Sequence, residues 1–521
     1  MLRLTQTENG KVKGIPAADP RITAFKGIPF AAPPVGNLRW KAPQPASNWT
    51  GTRNCFEFAP IAMQSQPGLN PADIYDREWH VDSEVPLNED CLYLNIWTPA
   101  ACNDIESAQK LKLPVYVWYF GGGLQVGYPS EMEFDGERLA RRGIVVVTIN
   151  YRLNAFGFLC HPEITKENPA APTNFGHLDQ QFATQWVKRN IANFGGDGDN
   201  ITIGGQSAGG GSVIAQLASP QNKDVKTSSG LFQQAIIQSG IFAPAYPNTF
   251  GPERGLHLAE VEKRGEEFFA FCKVKSLAEA RKIPAKRLMK KVEDFAQSKG
   301  QWMMWGTVID GKFLLDNPYT VLCDGKGLHV PIMLGNTIDE FFAEPASKTI
   351  DELKETAATM FGNKADAFIS LLEEAGGTSF ANALHALKNA ARVNGIEYAA
   401  RLLAKKYADN KVASPLYYYQ FGPEIPGWDK PGCFHSVDLW FFFETLAKSW
   451  RPWKGSHYEL ARDMCNYWAE FVKKGNPNGL GMPQWKAFTN DVPETMFFGD
   501  VADCGVREPG AVMKYLIDNK K

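Results

Sequence analysis

A chain of 521 residues, 44% apolar and 21% charged, has the composition of a globular protein with room for a large core and a deep pocket. Its 55 Lys and Arg nearly balance 57 Asp and Glu, so it lacks the basic excess that a nucleic-acid or anionic-membrane partner requires. No stretch approaches the roughly 20 uninterrupted apolar residues of a membrane span. The opening Met1-Leu2-Arg3-Leu4-Thr5-Gln6-Thr7-Glu8 lacks the apolar core of a secretory leader.

In chain order, short apolar runs alternate with longer helical stretches, the pattern of a mostly parallel sheet with helices on both faces. Strands are predicted at Leu92–Trp97, Val115–Phe120, Ile144–Ile149, Ile201–Gly205, Gln234–Gln238, Val330–Leu334 and Leu416–Phe421. Several are apolar on both faces, as strands buried between two helix layers must be. Two charged helical stretches, 251–304 and 350–409, carry few strand signals and are expected to be insertions covering the site. Within the first, the basic run from Arg281-Lys282 to Lys290-Lys291 fits the wet face of a helix. Near the end, Leu460, Met464, Tyr467, Trp468 and Phe471 share one helical face, stopped by Gly475-Asn476-Pro477. With no repeat and no low-complexity linker, residues 1–521 read as one domain.

The densest signal is Ile201-Thr202-Ile203-Gly204-Gly205-Gln206-Ser207-Ala208-Gly209, followed by the helix-like Val213-Ile214-Ala215-Gln216-Leu217. A strand that turns sharply into a helix strains its pivot and lifts the pivot side chain above the sheet, at a helix N-terminus that favours negative charge. With 47 glycines in the chain, Gly-x-Ser-x-Gly is expected by chance about 0.2 times. The strand–helix context, rather than the pattern, marks Ser207 as a nucleophile. Upstream, the apolar run Val115–Phe120 ends in Gly121-Gly122-Gly123. Backbone without side chains approaches a developing oxyanion most closely, so the N–H groups of Gly122, Gly123 and Ala208 are the expected donors.

A serine nucleophile needs a base and an acid, in the chain order Ser, acid, His. His385 lies within a helical run and His457 at a helix start, where a capping role fits. His435 follows the strand Leu416–Phe421 in the Pro/Gly-rich loop Gly427–Phe434, and loops at strand ends gather catalytic groups. His435 is therefore the base. For the acid, Asp339 and Glu340 both lie just past the strand at Val330–Leu334, and the residues alone leave the choice open.

Taken together these residues resemble the type-B carboxylesterase/lipase family of the α/β-hydrolase superfamily, almost end to end. Phe25-Lys26-Gly27-Ile28-Pro29-Phe30-Ala31-Ala32-Pro33-Pro34-Val35-Gly36 with Leu38-Arg39-Trp40 is similar to its N-terminal signature. Glu89-Asp90-Cys91-Leu92-Tyr93-Leu94-Asn95-Ile96 is similar to its second. Asn150-Tyr151-Arg152-Leu153, Phe194-Gly195-Gly196-Asp197, the Ser207 turn and Gly475-Asn476-Pro477-Asn478 also fit. The resemblance implies the α/β-hydrolase fold and a Ser207–Glu340–His435 triad, since the family's Gly-x-x-x-x-Glu falls on Gly335 and Glu340. It also implies a supporting serine at Ser239.

The implied activity is hydrolysis of a small-to-medium hydrophobic or aromatic carboxylic ester through an acyl-enzyme, with no metal or organic cofactor. The same machinery serves amides, thioesters or carbamates, and the fold also occurs as a non-catalytic adhesion module. The family's early disulfide would join Cys91 to a cysteine near residues 60–64, where this sequence has none. Nine scattered cysteines without a CxxC pair point to a reducing, cytoplasmic setting, in which the Asn48 and Asn200 N-x-T triplets are chance matches. Trp79 is not at the offset from Cys91 of the cholinesterases' choline-binding tryptophan, so choline specificity is not implied. Of the aromatic clusters, Gln301-Trp302-Met303-Met304-Trp305 and Trp440-Phe441-Phe442-Phe443 are candidates either for a greasy gorge or for core packing.

Overall fold

The computed structural model describes residues 1–223, 230–243, 255–340, 346–376 and 394–519. An eleven-stranded sheet runs through its centre. In chain order the strands are β1 (Ile15–Pro16), β2 (Thr23–Pro29), β3 (Tyr93–Thr98), β4 (Leu113–Tyr119), β5 (Val145–Ile149) and β6 (Gly196–Gln206). They continue with β7 (Gln234–Gln238), β8 (Ile332–Thr337), β9 (Leu416–Phe421), β10 (Glu494–Phe498) and β11 (Ala502–Val506). Across the sheet the order is β11-β10-β9-β8-β7-β6-β4-β5-β3-β2-β1. Strands β4 to β10 are mutually parallel. The antiparallel pairs lie at the two margins, β10 with β11 on one side and β5 through β1 on the other.

All seven predicted strands form, β7 and β9 at the predicted bounds and the other five with shifted ends. Strand β8 begins two residues later than expected, because Pro331 has no N–H to give to a ladder. Strands β1, β2, β10 and β11 were not among the expectations. Every residue of β5, β7 and β8 is buried. A strand buried along its whole length must be covered from both sides, which is why each of these segments carries an apolar run, Val145–Val147, Ala235–Ile237 or Ile332–Leu334.

The covering helices include α1 (Phe175–Asn190) and α2 (Ala208–Ala218), both packed on β6. Between them and the end of the chain come α3 (Leu258–Cys272), α4 (Ala285–Ser298), α5 (Ile350–Phe361), α6 (Ala365–Gly376) and α7 (Asn394–Asp409). Helix α8 (Gly455–Lys474) crosses β4 and β6, burying Leu460, Met464, Tyr467, Trp468 and Phe471 as their spacing predicts. Each side chain so buried contributes about 1.5–3 kcal/mol. The helix stops at Gly475, in the left-handed conformation at φ 68°. At its start His457 does cap the turn: Nδ1 accepts the Lys454 N–H at 3.0 Å.

Where described, the charged stretches are mainly helical, the first also holding a two-residue strand, Leu256–His257. Helix α4 buries Leu288, Met289, Val292 and Phe295 while Lys286, Arg287 and Lys290 face solvent. His385 lies outside the described residues.

Candidate active site

Because β4 and β6 to β9 are parallel, their carboxyl ends share one edge of the sheet, and the segments leaving that edge converge. The glycine turn Gly121–Gly123 follows β4, Ser207 follows β6, Ser239 follows β7, Glu340 lies three residues past β8, and the His435 loop follows β9.

The turn at Ser207 is as tight as its sequence suggests. Ser207 sits at φ 56°, ψ −125°, a region L-residues avoid, and Ala208 opens α2 directly behind it. A Cβ on Gly209 would lie 2.1 Å from the Tyr119 carbonyl, and one on Gly205 2.4 Å from the backbone of Gly209. Both glycines are steric requirements of the bend. The Ser207 N–H is anchored on the Gln238 carbonyl at 2.8 Å. At the neighbouring turn Gly122 has φ 100°, and a Cβ there would strike the Val126 carbonyl at 2.2 Å.

His435 donates Nδ1–H to Glu340 Oε2 in a short, buried hydrogen bond. Its other nitrogen, Nε2, then carries the lone pair and points back to the Ser207 turn, 3.2 Å from the side-chain amide of Gln206. Glu340 Oε1 accepts the Ser239 hydroxyl at 2.5 Å and the Thr337 N–H and hydroxyl at 3.1 Å each. Burial alone would push the Glu340 carboxyl up. The adjacent His435, its hydrogen bond and those of Ser239 and Thr337 outweigh that and hold it below the ordinary glutamate range. Asp339 turns the other way. Its Oδ2 accepts the Cys433 N–H at 2.8 Å and so braces the loop that carries His435.

Ser207, Glu340, His435, Gly122, Gly123 and Ser239 all line one cavity of about 790 Å³. Trp302 and Met303 line it too, whereas their neighbours Met304 and Trp305 are core residues, Trp305 packing edge-on against Phe268. Trp440-Phe441-Phe442-Phe443 are wholly buried and belong to the core. Ile396, from α7, reaches the same cavity.

One wall carries Tyr75 and His80, which the sequence did not flag, beside Trp79, which it weighed only against choline binding. Tyr75, Trp79 and His80 come from a five-residue helix, Ile74–Glu78, and the turn after it. Trp79 lies on Phe434 with ring centroids 6.2 Å apart. Asp73, Asp76 and Glu131 line the same wall, and no Lys or Arg does among the described residues. His80 lies 3.3 Å from Glu131 and 3.9 Å from Asp76. Burial would push its ionisation down, but Glu131 and then Asp76 and Asp73 pull it up.

Residues 3–503 match the Carboxylesterase family. Among curated relatives, a fumonisin B1 esterase of Sphingopyxis macrogoltabida is 32% identical, the alignment covering 96% of this chain and 87% of that protein. A cholinesterase of Mus musculus is 32% identical over 93% of this chain and 81% of its own length. A para-nitrobenzyl esterase of Bacillus subtilis is 30% identical over 95% and 94%. Among solved structures, a PNB esterase superposes with a TM-score of 0.75 at 27% identity, covering 99% of this chain and all of that one. A thermophilic PNB esterase gives 0.76 with the same identity and coverage. Matched over nearly its full length in sequence and in fold, the chain belongs to the carboxylesterase family and is a carboxylic-ester hydrolase with the α/β-hydrolase fold.

Proposed function

We propose that Ser207 is the nucleophile, His435 the general base and Glu340 the acid of the triad. The observation that carries this reading is the convergence, in one cavity, of a strained serine at a strand–helix turn and an imidazole bonded through Nδ1 to a buried carboxylate. As Ser207 Oγ attacks the ester carbonyl, its proton passes to His435 Nε2, and the anionic Glu340 stabilises the imidazolium. The Gln206 amide must yield Nε2 for that transfer. The N–H groups of Gly122, Gly123 and Ala208 receive the oxyanion. His435 then gives the proton to the departing alcohol. Water, deprotonated by the same imidazole, attacks the acyl-enzyme, releasing the acid and restoring Ser207. Ser239 keeps Glu340 ionised and oriented. No step calls for a metal or an organic cofactor.

The substrate we infer is a small-to-medium ester with a hydrophobic or aromatic group, for which Trp79, Trp302 and Met303 provide contact surface. The acidic wall of Asp73, Asp76 and Glu131 disfavours substrates with a negative charge nearby. Segments 251–304 and 350–409, as insertions in a single domain, would contribute Trp302, Met303 and Ile396 to that specificity. We also infer a reducing, cytoplasmic setting, supported by nine free cysteines, Cys91 among them. No described helix is long and apolar enough to cross a membrane.

A panel of p-nitrophenyl esters with matched amide, thioester and carbamate analogues tests the substrate class. The expected outcome is a kcat/KM for neutral esters at least about 100-fold above the amide, and a lower value for acyl groups ending in carboxylate. Preference for an amide or carbamate of the same shape would overturn it.

A further inference from the structure

Behind the triad lies a second buried acid that the cycle above does not use. Asp438, three residues beyond His435, is wholly inaccessible. Its Oδ2 accepts the Tyr419 hydroxyl at 2.8 Å and the Gln238 side-chain amide at 3.4 Å. Asp438 Oδ1 and Gln238 Oε1 are both buried with no hydrogen-bond partner among the described residues.

Each partner is tied to the site. The Gln238 carbonyl anchors the Ser207 N–H, and the next residue, Ser239, donates to Glu340. Tyr419 of β9 stands beside Gly335 of β8, where a Cβ would lie 2.2 Å from the tyrosine ring. Strand β8 thus omits a side chain where Tyr419 must lie across it to reach Asp438.

A carboxylate held by a hydroxyl and an amide, with no permanent cation paired to it among the described residues, is poorly compensated. Burial pushes Asp438 up to about 6; Tyr419 and His435 pull it down, and Glu340 pushes it further up. Besides Tyr419, Gln238, Glu340 and His435, the thiol of Cys433 faces it, and burial there keeps the thiol protonated. Glu340 is held low, so of the two acids Asp438 is the one that changes charge near neutrality.

We propose that Asp438 is a positioning residue for acyl transfer. Its carboxylate stabilises the imidazolium formed when His435 takes the Ser207 proton, while Tyr419 and Gln238 fix it under the His435 turn. This role rests on the Ser207–His435–Glu340 reading.

Asp438→Asn removes the charge and still accepts the tyrosine hydroxyl. Its kcat on a p-nitrophenyl ester is expected to fall about ten-fold at pH 7.5, with KM changed by no more than about two-fold. Its kcat profile is expected to lose the inflection that the Asp438 carboxyl contributes near pH 6, while protonation of the general base still shapes the acid limb. Tyr419→Phe keeps the carboxyl but loses the donor that pulls its ionisation down, so the inflection moves to higher pH and the plateau survives. A purely structural role would lower the thermal midpoint without moving either profile. A folded Asp438→Asn with a superimposable pH profile would overturn the role. So would a Tyr419→Phe inflection that stays in place, and that variant alone decides if Asp438→Asn does not fold. Stoichiometric phosphonylation of wild-type Ser207 separates the two failures. Without it the triad falls and takes this role with it; with it, unmoved profiles remove only Asp438.

Discussion

Ser207→Ala is expected to lower ester turnover by about 10⁴–10⁶, leaving KM and the thermal midpoint near wild type. The large factor follows from chemistry rather than packing. Removing Oγ leaves no atom that can form the acyl-enzyme, so only water, positioned by chance, remains to attack. A residual acceleration of about 10³ over uncatalysed hydrolysis is expected, because the proposed oxyanion donors, the amides of Gly122, Gly123 and residue 208, remain in the variant. Alanine also tolerates φ 56° no better than serine, so the strained turn stays as strained as before and the loss reports on the nucleophile. Steady-state kinetics on p-nitrophenyl butyrate, with circular dichroism as the control for folding, measures it. Turnover within ten-fold of wild type would contradict the assignment.

Glu340→Gln carries the second-largest effect, a fall in kcat of about 10³–10⁴. Oε1 of the glutamine still accepts from Ser239 and Thr337, so the local structure has no reason to collapse. The nitrogen then faces His435 Nδ1 as a donor, which forces the ring into the tautomer with its proton on Nε2. That nitrogen can no longer accept the serine proton, and the negative charge that stabilised the imidazolium is gone. Asp339→Asn, one residue away, is the matched control. It weakens one hydrogen bond to the Cys433 N–H and is expected to keep kcat within about ten-fold. The pair tests the choice that the residues alone leave open, and equal losses would refute it.

The legible parts of the chain were those where one physical constraint dominates. Strands β4 to β9 announced themselves through short, mostly apolar runs such as Val115–Phe120 and Ile144–Ile149, because burial on both faces demands them, and α8 because a single buried stripe recurs every three to four residues. Strand β2 was obscured by its own geometry. Its register with β3 shifts between Phe25 and Ile28, and the intervening Lys26-Gly27, with Gly27 at φ 72°, breaks the alternation that marks a strand. Strand β11 is a margin strand with only Ala502 buried, so it has no apolar pattern to read.

The same contrast holds at the site. Ser207 and the glycine turn were visible because backbone sterics restrict which residues can occupy them. Tyr75 and His80 were not, since a helix of one turn leaves no periodicity, and Trp79 was weighed only against choline binding. Asp438 gave no signal either: an aspartate before Leu439-Trp440 reads as a turn cap, and only the folded chain buries it against Tyr419. Trp302 and Trp305 show the limit of composition. They are alike in sequence context, yet the first is 60% exposed at the cavity and the second 2%.

Active-site titration with a fluorophosphonate, read by intact mass and peptide mapping, tests the central claim most directly. The account predicts one adduct per chain, located on Ser207, forming in step with the loss of ester hydrolysis. Hydrolysis that persists after Ser207 is fully modified, or is lost through an adduct on a different residue, would contradict it.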